Sequence, residues 1–140
     1  MPATKESFVN ELNKALEWEY ASAIQYIQHS ATLTGPEYTA IADELVVHVN
    51  EEISHALKLA NVIVDLEGVP TMEVQIRETD SSSKTMLEQD LKSEEIAIAL
   101  YKKLIPMAEE LKEYGVRQVL EEILKDEEEH RRDLLNALGL

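Results

Sequence analysis

The 140-residue chain contains no cysteine. This excludes a disulfide framework, thiolate-held zinc or iron-sulfur centres, and a thiol nucleophile. Any metal must therefore sit mainly on oxygen and nitrogen. Long uncharged runs are also missing: the longest stretch without Asp, Glu, Lys or Arg is the 17 residues from Tyr20 to Pro36, and it includes two Gln, a His and several hydroxyls. A bilayer-spanning helix needs about 20 mostly apolar residues, so no membrane partner is expected. The opening residues, Met1 to Ser7, have neither the basic region nor the apolar run of a secretory signal, and a cytoplasmic protein is expected. Basic residues are few, 13 Lys and Arg against 28 Asp and Glu, and the formal charge of -15 repels phosphate backbones and anionic lipid while attracting cations. No nucleic-acid partner is expected.

Glycine and proline are sparse, four of each, and they fall where helices should start or stop. The spacing predicts a first helix from about Lys5 to Thr32, stopped by Thr34-Gly35-Pro36, and a second from Pro36 to about Glu67, closed by Gly68-Val69-Pro70. Thr71 to Ser83 shows no helical period, and Ser81-Ser82-Ser83 supplies N-cap candidates for a third helix that begins near Lys84 and ends by Gly115. A fourth runs from about Val116 to Ala137, with Gly139 as terminator. Pro106, inside the third, is expected to kink or split it. The second helix would be about 48 Å long and the Gly68 to Ser83 connection could span about 53 Å, so one long crossover fits. The expected fold is all-α, an antiparallel four-helix bundle forming a single domain over residues 1–140.

Six residues carry the chemistry. Glu19, Glu52 and His55 are repeated by Glu94, Glu127 and His130, each pair 75 positions apart. In Glu-x-x-His the two side chains stand about 60° apart around a helix and about 4.5 Å along it, so both reach one ion. With 22 Glu in the chain a lone Glu-x-x-His means little; the shared offset is what counts. It extends to Tyr26 and Tyr101, Leu16 and Leu91, Leu45 and Leu120, Glu51 and Asp126, and Leu59 and Leu134. Each helix also has one Glu within its apolar stripe, and four ionised carboxylates cannot share a dry core unaided. Two divalent cations would compensate them.

Tyr26 and Tyr101 each follow a repeated Glu by seven residues on the same face, where a hydroxyl can bond a metal-bound carboxylate or supply an electron. Glu51 and Asp126 are expected to meet the free ring N–H of a ligating His. His29 and His48 have Leu104 and Ile123 at the 75-residue offset and read as surface or interface histidines. Trp18, Met72, Met86 and Met107 read as packing residues, and Glu128 and Glu129 as a solvated face.

The stretch Glu19-Tyr20-Ala21-Ser22-Ala23-Ile24-Gln25-Tyr26 and the motif Ile123-Leu124-Lys125-Asp126-Glu127-Glu128-Glu129-His130 resemble the helix A and helix D signatures of the bacterioferritin branch of the ferritin-like family, and the resemblance covers nearly all of the chain. A lone Glu from two helices and Glu-x-x-His from the other two is the metal-binding pattern of ferritin-like bundles. The resemblance implies that Glu19 and His55 are terminal ligands of one iron, Glu94 and His130 of the other, and that Glu52 and Glu127 bridge them. It implies a ferroxidase-like oxidoreductase that oxidises Fe(II) with dioxygen or peroxide. Iron would be both cofactor and substrate, with manganese open to the same oxygen and imidazole donors.

Three departures refine this. Haem-binding bacterioferritins place a Met directly after the bridging Glu of the second helix; here that residue is Ile53, so haem is expected to be absent. Ferritin cages usually add a short fifth helix, whereas ten residues follow His130, so a homo-oligomer of at least two chains is expected, with an iron storage shell as an alternative. Rubrerythrins, the other alternative as peroxide or oxygen reductases, add a cysteine-held iron and a further carboxylate where this chain has Ala97.

Overall fold

The structure is a computed structural model and describes residues 2–140; Met1, part of the expected domain, lies outside the described residues. Among the described residues there are four long helices, α1 (Lys5–Thr32), α2 (Thr39–Asp65), α3 (Ser83–Glu110) and α4 (Tyr114–Leu138), with a 3-10 turn at Pro36–Tyr38 and no strands. This is the expected four-helix bundle. None of these helices is long and apolar enough to cross a membrane.

Helix ends follow local chemistry. At the start of α1, Thr4 and Ser7 form a reciprocal capping box: Thr4 Oγ1 accepts from the Ser7 N–H at 3.0 Å, and Ser7 Oγ accepts from the Thr4 N–H at 2.9 Å. Gly35 has φ 112°, a value that favours glycine, and turns the chain into the 3-10 segment, so α2 begins at Thr39 rather than Pro36. Ser82 caps α3, accepting from the Thr85 N–H at 3.3 Å.

Two expected terminators act differently. Glu67 rather than Gly68 takes the left-handed conformation (φ 64°), and the Gly68 N–H closes α2 on the Ile63 carbonyl at 2.8 Å. Gly68 is required for space: a Cβ there would lie 2.6 Å from Val9 Cγ1. Gly115 does not end α3. Lys112 turns left-handed (φ 60°), the Glu113 N–H bonds the Ala108 carbonyl at 2.8 Å, and Gly115 lies inside α4. Nor does Pro106 split α3, which runs unbroken to Glu110. Leu104 and Ala108, on either side of Pro106, are fully buried in the core, and this packing keeps the turn helical.

α1 packs chiefly on α2 and α3 on α4, and the two hairpins meet through α1 against α3 and, less closely, α2 against α4. The crossover, residues 66–82, runs back along α1. Asn13 Nδ2 donates to the Val69 carbonyl at 3.0 Å, Tyr20 Oη donates to the Thr71 carbonyl at 3.0 Å, and the Glu78 N–H donates to Gln25 Oε1 at 3.0 Å. Met72 lies on this strap and is 92% exposed, so it does not pack as expected; Met86 is buried, and Trp18 and Met107 are partly buried.

The core is divided into two apolar clusters. One contains Leu12, Leu16, Leu59, Leu104 and Leu120; the other contains Tyr26, Leu45, Leu87 and Leu134. On every helix the buried Glu falls between residues of the first cluster and residues of the second. The bundle thus has a polar layer across its middle.

Candidate metal centre

Antiparallel pairing of two hairpins places Glu19, Glu52, Glu94 and Glu127 in that layer, with His55 one turn beyond Glu52 and His130 one turn beyond Glu127. All six side chains are at most 2% exposed. His55 Nδ1 lies 2.8 Å from Glu127 Oε1 and 3.4 Å from both Glu19 Oε2 and Glu52 Oε1. His130 Nδ1 lies 3.2 Å from Glu52 Oε1 and 3.3 Å from Glu94 Oε1. The donor atoms form two groups, Glu19, Glu52, His55, Glu127 and Glu52, Glu94, Glu127, His130, each with its atoms within 4.8 Å of one another, and each able to hold a metal ion. Glu52 and Glu127 belong to both.

The donor set fits such ions. Glu19 Oε2, Glu94 Oε2 and both oxygens of Glu52 and of Glu127 are buried without a hydrogen bond. Unmet buried acceptors are costly, about 1–3 kcal/mol each and more when charged. Six in one buried layer have a common remedy in cations.

Protons supply compensation when metal is absent. Burial, then the nearby Glu52 charge, pushes the Glu19 carboxyl up to about 8. Burial and the charges of Glu19, Glu52 and Glu94 push Glu127 well above the usual carboxylate range. Burial opposes the charged imidazoles, yet the close carboxylates of Glu19 and Glu52 raise His55 to about 11, and those of Glu52 and Glu94 raise His130 to about 11. Burial would raise Glu52 too, but the adjacent His130 and His55 imidazoles, 3.2 and 3.4 Å away, outweigh it and hold this carboxyl below its usual range. The metal-free layer therefore balances its charge with carboxylic acid groups, as crowding of four buried Glu leads one to expect, and also with imidazolium groups at His55 and His130.

Supporting contacts surround the six. Tyr26 Oη donates to Glu94 Oε1 at 2.5 Å and Tyr101 Oη donates to Glu19 Oε1 at 2.5 Å, so each tyrosine reaches the opposite hairpin. Behind the imidazoles, Asp126 Oδ2 lies 2.8 Å from His55 Nε2 and Glu51 Oε1 lies 3.5 Å from His130 Nε2. These are the carboxylates expected there. A cavity of about 220 Å³ on the outer α1–α2 face reaches Glu19 and Glu52 between Tyr20, Ala23, Ile53 and Leu57. A larger one of about 620 Å³, beside Glu128 and Arg131, is lined by none of the six.

The two remaining histidines correct the sequence reading, because both are fully buried. His29 Nδ1 lies 2.7 Å from Asp90 Oδ1, and its Nε2 lies 3.1 Å from the Glu78 carbonyl of the crossover. Gln25 Nε2 donates to the same Asp90 oxygen at 2.9 Å. His48 lies 3.2 Å from Asp133 Oδ2 and stacks on His130 with ring centroids 3.9 Å apart. Both main partners lie far along the chain, Asp90 on α3 and Asp133 on α4; the one local signal is Glu44, a turn before His48.

The sequence profile of the Ferritin-like domain family matches residues 9–140. The chain is 35% identical over 138 residues to a bacterioferritin of Brucella melitensis, covering 94% of this chain and 86% of that protein. It is 33% identical over 133 residues to a bacterial ferritin of Pseudomonas aeruginosa, with the same coverage of 94% and 86%. Among solved structures, a ferritin-like, diiron-carboxylate protein of Bacillus anthracis superposes with a TM-score of 0.92 at 28% identity, covering 96% of each chain. A dodecameric thioferritin of Bacteroides fragilis, described as bacterioferritin-related, superposes with a TM-score of 0.90 at 28% identity, covering 98% of this chain and 87% of the other.

Proposed function

Since the chain belongs to the ferritin-like domain family, we propose that it is a ferroxidase-type protein that binds two Fe(II) ions and passes their electrons to dioxygen or peroxide. The observation that carries this reading is the sharing of Glu52 and Glu127 between the two four-residue groups. Two carboxylates common to both groups hold two cations side by side, and a fixed pair can deliver two electrons to one oxidant.

In this reading Glu19 and His55 are the terminal ligands on one side, Glu94 and His130 those on the other, and Glu52 and Glu127 bridge. Tyr101 and Tyr26 hold Glu19 and Glu94 in place by hydrogen bonding, and either phenol can supply an electron. Asp126 and Glu51 orient the two imidazoles. Loading with metal requires His55, His130, Glu19 and Glu127 to release protons. The cavity over Glu19 and Glu52 is mainly apolar in its walls and suits a small neutral oxidant.

Iron is favoured over manganese by the diiron-carboxylate neighbour and the bacterioferritin relatives. Ile53 offers no sulfur for haem, and the reading includes none. Exposed Ile24, Ile27, Ile53, Leu57 and Met72 on α1, α2 and the crossover suit contact with further copies of this chain, in a cytoplasmic homo-oligomer of at least two subunits. The test is rapid mixing of Fe(II)-loaded protein with dioxygen or peroxide. Fast oxidation of the bound iron by either is expected, and oxidation no faster than that of free Fe(II) would refute the reading.

A further inference from the structure

Glu44 and His48 lie one turn apart on α2, and Asp133 faces them from α4. His48 Nε2 is 3.2 Å from Asp133 Oδ2 and 3.9 Å from Glu44 Oε1, and the three donor atoms lie within 4.8 Å of one another. Bonds of about 2.1 Å from nitrogen and oxygen to a divalent cation set neighbouring ligand atoms roughly 3 to 4.2 Å apart, and both His48 distances fall in that range. None of the three residues belongs to the six of the dinuclear layer.

The group is not complete as a hydrogen-bonded cluster. His48 is fully buried and its Nδ1 makes no hydrogen bond. With the ring proton on Nδ1, the Nε2 lone pair faces two carboxylates; with it on Nε2, a bare buried acceptor remains. Among the described residues, neither Glu44 nor Asp133 is paired with a Lys or Arg. A cation on Nε2 removes the conflict between lone pair and carboxylates. Access is also present: a surface cavity of about 330 Å³ is lined by Glu37, Glu44, Asp133 and Asn136, and the His48 ring stacks at 3.9 Å on His130.

We propose that Glu44, His48 and Asp133 form a third divalent-cation site, which takes Fe(II) from this cavity and holds it one imidazole away from the dinuclear pair. The delivery role rests on the ferroxidase reading; the binding site itself does not.

Crystals of the full chain soaked in Mn(II) and measured at the manganese edge report each position separately. An anomalous peak between Glu44, His48 and Asp133, lost in the Glu44→Gln/Asp133→Asn double variant while peaks among Glu19, Glu52, Glu94 and Glu127 persist, is the expected result. No peak there in the parent overturns the site, whatever the dinuclear positions hold. Glu44 and Asp133 have partly exposed side chains, 44% and 38%, so the double variant should fold. In Fe(II) oxidation it should need about tenfold more iron for half-maximal rate, the scale of loss when a carboxylate supporting a metal is removed, with the maximal rate kept. An unchanged iron requirement overturns the delivery role. A parent protein without rapid oxidation defeats the ferroxidase reading and the delivery role with it, and the anomalous map still decides the site.

Discussion

Tyr101 of α3 donates its phenol O–H to Glu19 of α1 at 2.5 Å, crossing from one hairpin to the other. Tyr26 of α1 returns the same bond to Glu94 of α3. The two bonds relate the halves of the site by the same exchange that the 75-residue offset relates in sequence.

Tyr101→Phe removes the donor and leaves Glu19 Oε1 buried without it. Outer contacts of this kind are worth about 10- to 100-fold in metal affinity or activity. The variant should remain helical, bind iron more weakly on the Glu19 and His55 side, and oxidise it more slowly by a factor in that range. Metal titration with parallel stopped-flow traces checks this, and parental values in both would remove Tyr101 from the site.

Glu127→Ala takes a carboxylate from both proposed ion positions and should slow rapid Fe(II) oxidation by about 100-fold or more, the scale of several kcal/mol of lost charge stabilisation and positioning. Glu129→Ala, exposed and outside the polar layer, is the control and should oxidise iron at the parental rate. Circular dichroism verifies that both fold. Equal rates in the two variants would move the chemistry elsewhere.

Stability of the metal-free protein should fall as pH rises. Glu19, raised to about 8, and His55 and His130, raised to about 11, bind more protons folded than unfolded, and Glu127 acts in the same sense. The imidazole contributions are fully present below about 6.5 and fade toward 11, while that of Glu19 fades between about 4.5 and 8. Glu52 and His48, both held low, have the opposite sign; the effect of Glu52 is confined to pH below its ordinary value of 4.5, and that of His48, lowered by burial, to pH below about 6.5, where Glu19 and Glu127 together outweigh it. Each excess proton contributes about 1.4 kcal/mol per pH unit, so melting temperatures of the metal-free protein should drop between about pH 5 and 8. Metal competes with these protons, and the loaded protein should follow the reverse trend. Parallel melting curves for the two forms would contradict the proton assignment.

Haem added to the purified chain should give no Soret band of a sulfur-ligated porphyrin, because the residue after Glu52 is Ile53. Ile53→Met supplies the missing sulfur and is the informative comparison. A ligated spectrum in the parent would show that another residue serves.

Much of this was legible from period and punctuation. The bounds of α1, the Ser82 cap, the Gly139 terminator and the inward face of each of the four Glu follow from apolar spacing and cap chemistry, which act within a few residues. What escaped depends on partners far along the chain. His29 is buried because Asp90, on another helix, receives it, and His48 because Asp133 does. The internal repeat concealed His48, since its counterpart at the same offset is Ile123 and the third donor group has no twin. Pro106 remained helical through the burial of Leu104 and Ala108, and Lys112 and Glu67 adopted left-handed conformations where glycine was expected, because the closing backbone bonds to Ala108 and Ile63 hold those turns. Tertiary context overrode local preference at each of these positions.

An anaerobic Fe(II) titration of metal-free protein, followed by dioxygen or peroxide and read by absorbance, tests the dinuclear layer most directly. The two groups that share Glu52 and Glu127 predict tight uptake of two ions per chain in the dinuclear layer, both oxidised rapidly when the oxidant arrives. Any ion at Glu44, His48 and Asp133 would add to that number and is separated from it by repeating the titration on the Glu44→Gln/Asp133→Asn variant. Uptake of one ion or none by that variant, with bound iron oxidised no faster than free Fe(II), would contradict the account.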